Sequence, residues 1–280
     1  MTIPAVTAVI PTHNRAWCVA GAVESVLAQD FSGFELIVVD DGSTDNTPQV
    51  LAAYPAIRVL CQENRGVSAA RNLGAARARG KWLAFLDSDD LWLPQKLSAQ
   101  LAFFREHPEY LICQTQETWE KNGQVVRPLP RHAKPSGMAF ERMTGLCLVS
   151  PSAVMLDREL FMAHGGFDET LPACEDYDLW LRLGREHPMG LVDLPLVKKR
   201  GGHKDQLSAL PGLDLYRVRS LARIIREGGL TARQLAAARR ALAEKAAVYA
   251  AGCEKWGRSD EACQILHLAA RADGGDPESP

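Results

Sequence analysis

The sequence lacks several features that would assign it to common protein classes. It has no run of about eighteen consecutive apolar residues, and its amino terminus shows no basic segment before an apolar core, so neither a membrane span nor a signal peptide is predicted. A formal net charge of −2 provides no overall attraction to nucleic acid, which we do not expect as a partner. The sequence predicts a cytoplasmic protein and leaves peripheral contact with a membrane open.

Cysteine pairs and one glycine motif are also missing. The seven cysteines are scattered, odd in number and without a C-x-x-C pair, a distribution that indicates neither a zinc site nor a disulfide framework and favours reduced thiols. No G-x-G-x-x-G follows the first apolar run, which argues against a Rossmann-type dehydrogenase. The function must therefore be sought in other motifs.

The first half of the sequence alternates apolar runs rich in β-branched residues with Ala-rich segments of helical periodicity. This alternation is typical of βαβ units and predicts an α/β fold with a mainly parallel sheet flanked by helices. The predicted strands are Val6–Ile10, Glu35–Asp40, Ile57–Cys61 and Trp82–Leu86. The predicted helices between them are Cys18–Ala28, Thr47–Ala53 and Val67–Arg79.

The second half changes in composition twice. Residues 121–135 are rich in Pro and Arg, and Leu146–Leu156 predicts a bent pair of strands. Beyond residue 212 the chain is rich in Ala, Leu and Arg and predicts three helices, Leu213–Glu227, Ala232–Trp256 and Asp260–Ala272. We therefore expect two units, an α/β domain over residues 1–212 and a helical extension over residues 213–280 that packs on it.

Polar residues follow each of the four predicted strands at its carboxyl end, where open α/β sheets bind ligands. These tips are Pro11–Arg15, Asp40–Asp45, Gln62–Gly66 and Asp87–Asp90. Pro, Asn, Asp, Gly and Ser also form turns for backbone reasons alone, so any one tip could be purely structural. Four in succession favour a binding site.

The last of these tips carries three carboxylates in four residues, those of Asp87, Asp89 and Asp90. Carboxylates this close repel one another unless solvent, an Arg or Lys, or a divalent metal neutralises them, and oxygen ligands suit Mg²⁺ or Mn²⁺. An isolated Asp-x-Asp motif is more often a solvated turn or a helix cap. A second acidic pair, Glu175-Asp176, opens a predicted amphipathic helix, where it serves either the helix dipole or chemistry.

Read in order, the four tips closely resemble the motifs of the family 2 glycosyltransferases, because their order and spacing agree together. The segments are Val9–Arg15, Val38–Asp45, Asn64–Asn72 and Phe85–Asp90, and the later blocks Gly165–Glu169 and Glu175–Arg182 also fit. The resemblance covers roughly residues 2–208. It implies the GT-A fold, which is a Rossmann-like α/β domain that binds a nucleotide-sugar and usually a divalent cation.

The resemblance also implies a role for each matching residue. Asp176 is expected to be the catalytic base, and Asp89 with His203 is expected to hold a Mn²⁺ or Mg²⁺ ion. Glu175 and Gly166 are expected on the acceptor and donor side. The residues expected to bind the nucleotide are Pro11, Thr12, Asn14, Asp40, Asp41, Arg71 and Asp87, with the choice between Asp40 and Asp41 for the base left open.

The implied activity is metal-assisted transfer of a sugar, with inversion, from a nucleotide-diphosphate-sugar to an acceptor hydroxyl, as in the synthesis of cell-envelope polysaccharides. We expect a UDP-sugar donor and a saccharide or lipid-linked acceptor. One alternative is a non-catalytic nucleotide-sugar-binding or scaffold protein on the same fold. Another is a nucleotidyltransferase, which should carry a Gly-rich basic loop where this sequence has Pro11–Arg15.

Two further features allow more than one interpretation. The rings of Trp92 and Trp180 could stack on a sugar, but both positions suit a core better. The arginines of the first C-terminal helix either touch anionic lipid or form a solvated helix face, which is the simpler interpretation. These arginines are Arg217, Arg219, Arg223 and Arg226. The C-terminal helices are also compatible with a homo-oligomer.

Overall fold

The computed structural model describes residues 3–203, 206–207, 210–272 and 274. Within them, nine strands belong to one sheet: β1 Val6–Thr12, β2 Phe34–Asp40, β3 Arg58–Cys61, β4 Trp82–Phe85, β5 Leu91–Trp92, β6 Ile112–Lys121, β7 Gln124–Val126, β8 Val154–Asp157 and β9 Gly190–Gly201. The α-helices are α1 Val19–Leu27, α2 Thr47–Ala52, α3 Val67–Ala76, α4 Lys96–Glu106, α5 Phe140–Met143, α6 Arg158–Ala163, α7 Glu175–Gly184, α8 Asp214–Glu227, α9 Ala232–Lys255 and α10 Ser259–Ala272. Among these described helices, none is both long and apolar enough to span a bilayer.

The sheet divides into a parallel and a mixed part. Strands β3, β2, β1 and β4 lie side by side in that order and all run parallel, which confirms the predicted βαβ half. Beyond β4 the order continues β8, β6, β9, β5, with β8 antiparallel to both of its neighbours and β9 parallel to β6. Because Thr12 pairs with Asp40 and Asp40 pairs with Cys61, the carboxyl ends of β1, β2 and β3 are level and their polar tips meet at one edge.

The residues of β1 divide the hydrophobic core between the two faces of the sheet. Ala8 and Ile10 pack in one cluster with α1 and α4, whereas Val9 belongs to a second cluster that includes α3, α6, α7 and α8. Every residue of β1 is buried, as expected for a central strand covered on both faces. Trp92 and Trp180 are 3% and 2% exposed and lie in these clusters, so their interpretation as core residues is confirmed.

Helix α3 packs closely on β1 because its inner surface is built of small residues. Ala70, Gly74 and Ala75 are buried there, and a Cβ added at Gly74 would stand 2.4 Å from Cγ1 of Val9. This close approach brings Arg71, in the second turn of α3, beside the tip of β4.

The helical extension packs on the α/β domain, as predicted. The apolar side of α8 lies in the same core cluster as Tyr177 and Trp180 of α7. Arg223, whose side chain is 32% exposed, pairs with Asp168 at 2.5 Å and also with Asp178, so this arginine ties α8 to the domain. The division of the chain at residue 212 stays a prediction, since α7 and α8 share one core.

Two parts of the sheet differ from the predictions. Leu146–Leu156 does not form a pair of strands, because Pro151 has no N–H to donate and begins a 3₁₀ turn that leads into the single strand β8. Strands β5, β6, β7 and β9 were not predicted from the sequence. Most residues of β6 and β9 are polar, charged or partly exposed, so neither strand shows the apolar run that identified the parallel strands.

Candidate active site

A cleft of about 590 Å³ opens at the carboxyl edge of the parallel strands. Its walls come from the strand tips, the start of α7, the end of β9 and the start of α8. Ten of the twelve predicted site residues line it: Pro11, Thr12, Asn14, Asp41, Arg71, Asp87, Asp89, Glu175, Asp176 and His203. The fold therefore gathers segments that are up to about 190 residues apart in the sequence.

Hydrogen bonds with Ser152, in the 3₁₀ turn before β8, order the acidic segment after β4. Ser152 Oγ donates to Asp90 Oδ2 at 2.6 Å and accepts from the Asp87 N–H at 3.1 Å. Burial, reinforced by the charges of Asp87 and Asp89, raises the pKa of Asp90 to about 7. Asp90 is 2% exposed and anchors the segment, whereas the side chains of Asp87 and Asp89 are 25% and 18% exposed.

Asp89 and His203 are the pair of side chains best placed to hold a cation. Asp89 Oδ2 and His203 Nε2 are 2.6 Å apart, and both residues line the cleft. Adjacent ligands of an octahedral Mg²⁺ or Mn²⁺ ion stand about 3 Å apart, so a small separation of this pair would admit the ion. A cation held by one carboxylate and one imidazole would complete its shell with water and phosphate oxygens. The residues present therefore fit a divalent cation shared with a diphosphate.

Arg71 connects the acidic segment to α7. Its side chain is 4% exposed, and its two terminal nitrogens lie 2.6 Å from Asp87 Oδ1 and 2.6 Å from Glu175 Oε1. Burial opposes the charge of Arg71, but the two carboxylates outweigh it and raise the pKa of the guanidinium. Burial also raises the pKa of Glu175. Arg71 therefore holds the acidic segment against the start of α7. Because Arg71 and Glu175 also line the cleft, their expected contacts with the nucleotide and the acceptor stay predictions.

Asp176 lies in the first turn of α7 and lines the cleft. Its Oδ1 accepts from the Tyr177 N–H at 2.7 Å, and its Oδ2 accepts from the Cys147 thiol at 3.2 Å. Burial and the nearby Asp176 charge raise the pKa of Cys147 well above its ordinary value, so the thiol stays protonated and donates. Each carboxylate oxygen can accept a second hydrogen bond, which leaves Asp176 able to receive a proton from the cleft. No sequence motif marked Cys147, because its contact with Asp176 is purely tertiary.

Cys174, immediately before α7, adopts a left-handed backbone conformation. Its φ of +61° is uncommon for a residue other than glycine, and such conformations occur preferentially at functional sites. The residue lines the same cleft. The entry into the helix that carries Asp176 is therefore strained locally.

Side chains predicted to bind the nucleotide also tie the tips of β1, β2 and β3 together. Asn14 Oδ1 accepts from the Thr44 N–H at 2.8 Å, and both oxygens of Asp41 accept backbone N–H groups of the β3 tip, at 2.9 and 2.8 Å. Thr12 differs, because its buried Oγ1 has no hydrogen-bond partner within the residues described. A buried, unpaired hydroxyl on the wall of the cleft fits a ligand contact.

Asp40 and Gly166 lie outside the wall of the cleft. Asp40 is 4% exposed, and its Oδ1 accepts from the Ser43 N–H at 3.0 Å, which is a turn interaction. Of the two carboxylates considered for the nucleotide base, the geometry favours Asp41. Gly166 has a φ of +66°, and a Cβ there would stand 2.6 Å from Asn72 Oδ1, so packing of its own loop requires the glycine. Its position does not support the acceptor-side role.

Strand β9 brings two cationic side chains to the cleft, Lys199 and Arg200, that no sequence motif marked. Lys199 Nζ donates to Ser150 Oγ at 3.1 Å. Burial opposes the charge of Lys199, but the carboxylates of Asp90 and other acidic residues outweigh burial and raise the pKa of the ammonium. Arg200 Nε donates to the Asp89 carbonyl at 2.6 Å, while its buried Nη2 has no partner within the residues described. The available signal was the basic run just before His203. Two cations beside the acidic segment can neutralise a diphosphate.

The start of α8 completes the wall of the cleft beside α7. Leu213 and Arg217 line it, and the Leu213 carbonyl accepts from the Cys174 thiol at 3.7 Å. Arg217 Nη1 donates to Asp214 Oδ1 at 3.0 Å, and its buried Nε has no partner within the part of the chain described. Arg217 is therefore a cleft residue, and its contact with anionic lipid stays a prediction.

The sequence matches the family model described as Glycosyl transferase family 2 over residues 7–165. It is 33% identical over 198 residues to an uncharacterized glycosyltransferase of Rickettsia felis, an alignment that covers 70% of this chain and 33% of the relative. It is 27% identical over 195 residues to the UDP-Glc:alpha-D-GlcNAc-diphosphoundecaprenol beta-1,3-glucosyltransferase WfgD of Escherichia coli, covering 69% of this chain and 74% of that protein. The chain spans about a third of the length of several Rickettsia relatives that it matches.

The fold has a counterpart among solved structures. The crystal structure of S. aureus TarS 1-349 in complex with UDP-GlcNAc superimposes with a TM-score of 0.75 at 21% sequence identity, covering 96% of this chain and 83% of that one. This likeness, together with the family match, shows that the α/β fold is of the GT-A type, as expected from the resemblance.

Proposed function

Because the chain belongs to the family 2 glycosyltransferases, we propose that it transfers a sugar from a nucleotide-diphosphate-sugar to an acceptor hydroxyl, with inversion and with the help of a divalent cation. The observation that carries this proposal is a single cleft that contains both the Asp89–His203 pair and Asp176. Sugar transfer requires a means to neutralise the departing diphosphate and a base for the attacking hydroxyl. The cleft offers both.

In the proposed step, Asp176 takes the proton of the acceptor hydroxyl. The hydroxyl oxygen forms a bond to the anomeric carbon while the bond from that carbon to the diphosphate oxygen breaks on the opposite side, which inverts the configuration. The departing electron pair stays on the diphosphate, where Lys199 and Arg200 can neutralise it. When bound, the divalent cation supplies Lewis-acid stabilisation of the same charge. Glu175 is a poor substitute for the base, since Arg71 holds it as an ion pair.

The proposed donor is a sugar linked to a uridine nucleotide. The relative WfgD is named for a UDP-Glc donor, and we propose a UDP-sugar here as well. The unpaired Thr12 hydroxyl and the Asp41 carboxylate would contact the base and ribose, with Pro11 and Asn14 beside them and Asp87 toward the ribose or the cation.

The acceptor side of the proposal concerns a saccharide or a lipid-linked saccharide. WfgD is named for an acceptor on diphosphoundecaprenol. Leu213 and the unpaired Nε of Arg217 would give the acceptor both an apolar and a cationic contact beside Asp176. Cell-envelope polysaccharide synthesis, a cytoplasmic location and peripheral contact with a membrane stay predictions within this proposal.

Calorimetric titration of the purified protein with UDP, GDP and dTDP, each with Mn²⁺ and with EDTA, tests the donor site directly. We expect one nucleotide, UDP, to bind only with the cation. Asp89→Ala should weaken that binding on the order of a hundredfold because it removes a proposed cation ligand. Asp193→Asn, a change at an exposed carboxylate outside the cleft, should leave it unchanged.

Two results would contradict parts of the proposal. UDP binding that is equal in Mn²⁺ and in EDTA would remove the cation from it. Binding of UDP without any release of UDP from UDP-glucose or UDP-GlcNAc, tested with a GlcNAc-diphospholipid acceptor and with free saccharides, would favour the non-catalytic binding protein.

A further inference from the structure

A second group of metal-ligating side chains lies away from the cleft. His164, Glu186 and His187 can each present one ligand atom so that all three atoms lie within 4.8 Å of one another. His164 directly follows α6, and the other two follow α7. None of the three lines the cleft.

His164 is oriented as a metal ligand would be. Its Nδ1 lies 3.0 Å from the carbonyl oxygen of Leu160, which can only accept, so Nδ1 carries the proton and Nε2 keeps a free lone pair. The backbone of the residue is also held, because Arg182 Nη1 donates to its carbonyl at 2.5 Å. A backbone carbonyl that fixes the tautomer of a histidine is the usual support of a metal-bound imidazole.

His187 lies beside it without a hydrogen bond of its own. Within the residues described, neither ring nitrogen of this partly buried histidine has a hydrogen-bond partner. Its ring lies edge-on to that of His164, with centroids 5.7 Å apart and an interplanar angle of 79°. The backbone N–H of His187 donates to the Leu183 carbonyl at 3.0 Å, which fixes the residue to the last turn of α7.

Glu186 supplies a carboxylate at the exposed edge of the group. Its Oε1 accepts from Arg185 Nε at 2.7 Å, which leaves Oε2 available to a cation. Two imidazole nitrogens, one carboxylate oxygen and a position open to solvent form a donor set that suits Zn²⁺. Mg²⁺ prefers an all-oxygen shell, so this group differs in kind from the Asp89 site.

We propose that His164, Glu186 and His187 form a Zn²⁺ site that joins the end of α6 to the end of α7, with water in the fourth position. The scattered cysteines gave no indication of it, since the ligands are histidines brought together by the fold. The ion would join the end of α6 to the carboxyl end of α7, the helix whose first turn carries Asp176. The site does not depend on the proposed transferase activity.

Calorimetric titration of metal-free protein with Zn²⁺, compared with the double variant His164→Asn/His187→Asn, tests the site. Other groups can also bind Zn²⁺. Among them are the Asp89–His203 pair and the pair Cys263 and His267, in which the Cys263 sulfur lies 3.8 Å from the His267 Nε2 atom. The expected result is therefore a difference of one Zn²⁺ equivalent per chain between wild type and double variant. His267→Asn should not remove that equivalent.

Two further measurements guard against a double variant that does not fold. Glu186→Gln changes an exposed residue and should weaken the binding of Zn²⁺ at this site by at least about tenfold. Zn²⁺ should raise the thermal midpoint of wild type more than that of Glu186→Gln, because a ligand bound to the folded state stabilises it. Equal numbers of equivalents with equal affinities in wild type and both variants would overturn the proposal.

Discussion

The two sides of the cleft are built in different ways. On the proposed nucleotide side, strand tips that all lie within the first ninety residues bond mainly to one another, as Asn14 and Asp41 do. On the proposed acceptor side, Cys147, Asp176 and Arg217 come from three distant segments. One side is held by hydrogen bonds between neighbouring strand tips, and the other by contacts between segments far apart in the sequence. We therefore expect that donor binding and acceptor activation can be altered separately.

Arg71 is the point where the two sides meet. Its guanidinium pairs with Asp87 in the strand tip and with Glu175 in α7, both at 2.6 Å. Any variant that alters this residue should therefore affect both sides, whereas a change at Asp176 should affect one.

The largest expected effect is on turnover, from Asp176→Asn. Asparagine keeps an oxygen that can accept from the Tyr177 N–H but cannot take a proton from the acceptor. Turnover should fall about a thousandfold, while the Kd for UDP in Mn²⁺ should change less than about twofold. Rates of UDP release and calorimetric Kd values check the two parts separately.

Asp260→Asn provides the matched control, since this exposed carboxylate lies in the first turn of α10, outside the cleft. It should change neither quantity. If Asp176→Asn weakened UDP binding as strongly as it slowed turnover, the two sides of the cleft would not be separable.

The next largest effect should be on stability, from Arg71→Gln. This variant leaves the buried carboxylate of Glu175 and the partly buried one of Asp87 without their cation. Breaking a buried ion pair by removing one partner typically costs about 3 kcal/mol or more in the free energy of unfolding. Urea unfolding at neutral pH measures this loss.

Arg65→Gln is the control, because Arg65 pairs with Glu169 at 2.8 Å but with side chains 64% and 38% exposed. An exposed pair contributes about 1 kcal/mol at most. Equal losses for the two variants would show that Arg71 does not work as a buried bridge.

A smaller effect is expected on the pH dependence of stability, through Lys96, which is buried behind the proposed nucleotide side. Lys96 is fully buried, and its Nζ donates to Gln100 Oε1 at 2.7 Å. The same Nζ lies 4.1 Å from the ring centroid of Trp92, and the Trp92 indole N–H donates to the Ser152 carbonyl. Burial lowers the pKa of Lys96 from 10.5 to about 7. Between these values the unfolded chain binds the proton and the folded chain does not, so stability rises with pH, by up to about 1.4 kcal/mol per unit.

Lys96→Met should remove this rise and increase stability most at the acidic end of the range. The free energy of unfolding, measured in urea at pH 7, 8 and 9 for wild type and variant, gives the difference in slope. Lys81→Met, at an exposed position, should keep the slope of wild type. Parallel slopes for wild type and Lys96→Met would mean that Lys96 stays charged in the folded state.

The parallel half of the fold could be predicted because its evidence is local. Each apolar run of β1, β2 and β4 is followed by its polar tip, and the motifs at those tips matched a family in order and spacing. The mixed half could not be predicted, since β6 and β9 are long, partly polar strands that pair with partners distant in sequence. Nor could the sequence show that Arg71 would be neutralised by two carboxylates.

The residues of the candidate site also differ in whether local sequence could identify them. Asp89, His203 and Asp176 belong to motifs that can be read locally, and the structure places them in one cleft. Lys199 and Arg217 have no motif of their own, because what distinguishes them is only their tertiary position. Asp40 shows the converse, since a residue within a motif can serve the turn and not the ligand.

The smallest expected effect tests the acceptor side through Cys147, whose protonated thiol donates to Asp176 Oδ2 at 3.2 Å. Cys147→Ala removes a donor that stabilises the charged carboxylate, so the acid limb of the pH–rate profile should move to higher pH, by less than about one unit. Cys147→Ser supplies a stronger donor and should move that limb the other way. Turnover at its optimum should change only a few-fold in either variant, and UDP affinity should not change.

These opposite shifts separate a positioning role from simple packing. Cys147 is partly exposed in the cleft, so a loss of packing would lower turnover in both variants without moving the acid limb. Cys61→Ala and Cys61→Ser, at an exposed cysteine outside the cleft, control for the general loss of a thiol. A profile that moves in the same direction in both Cys147 variants would show that the hydrogen bond to Asp176 does not set the protonation of the base, and that the acceptor side is held by packing alone.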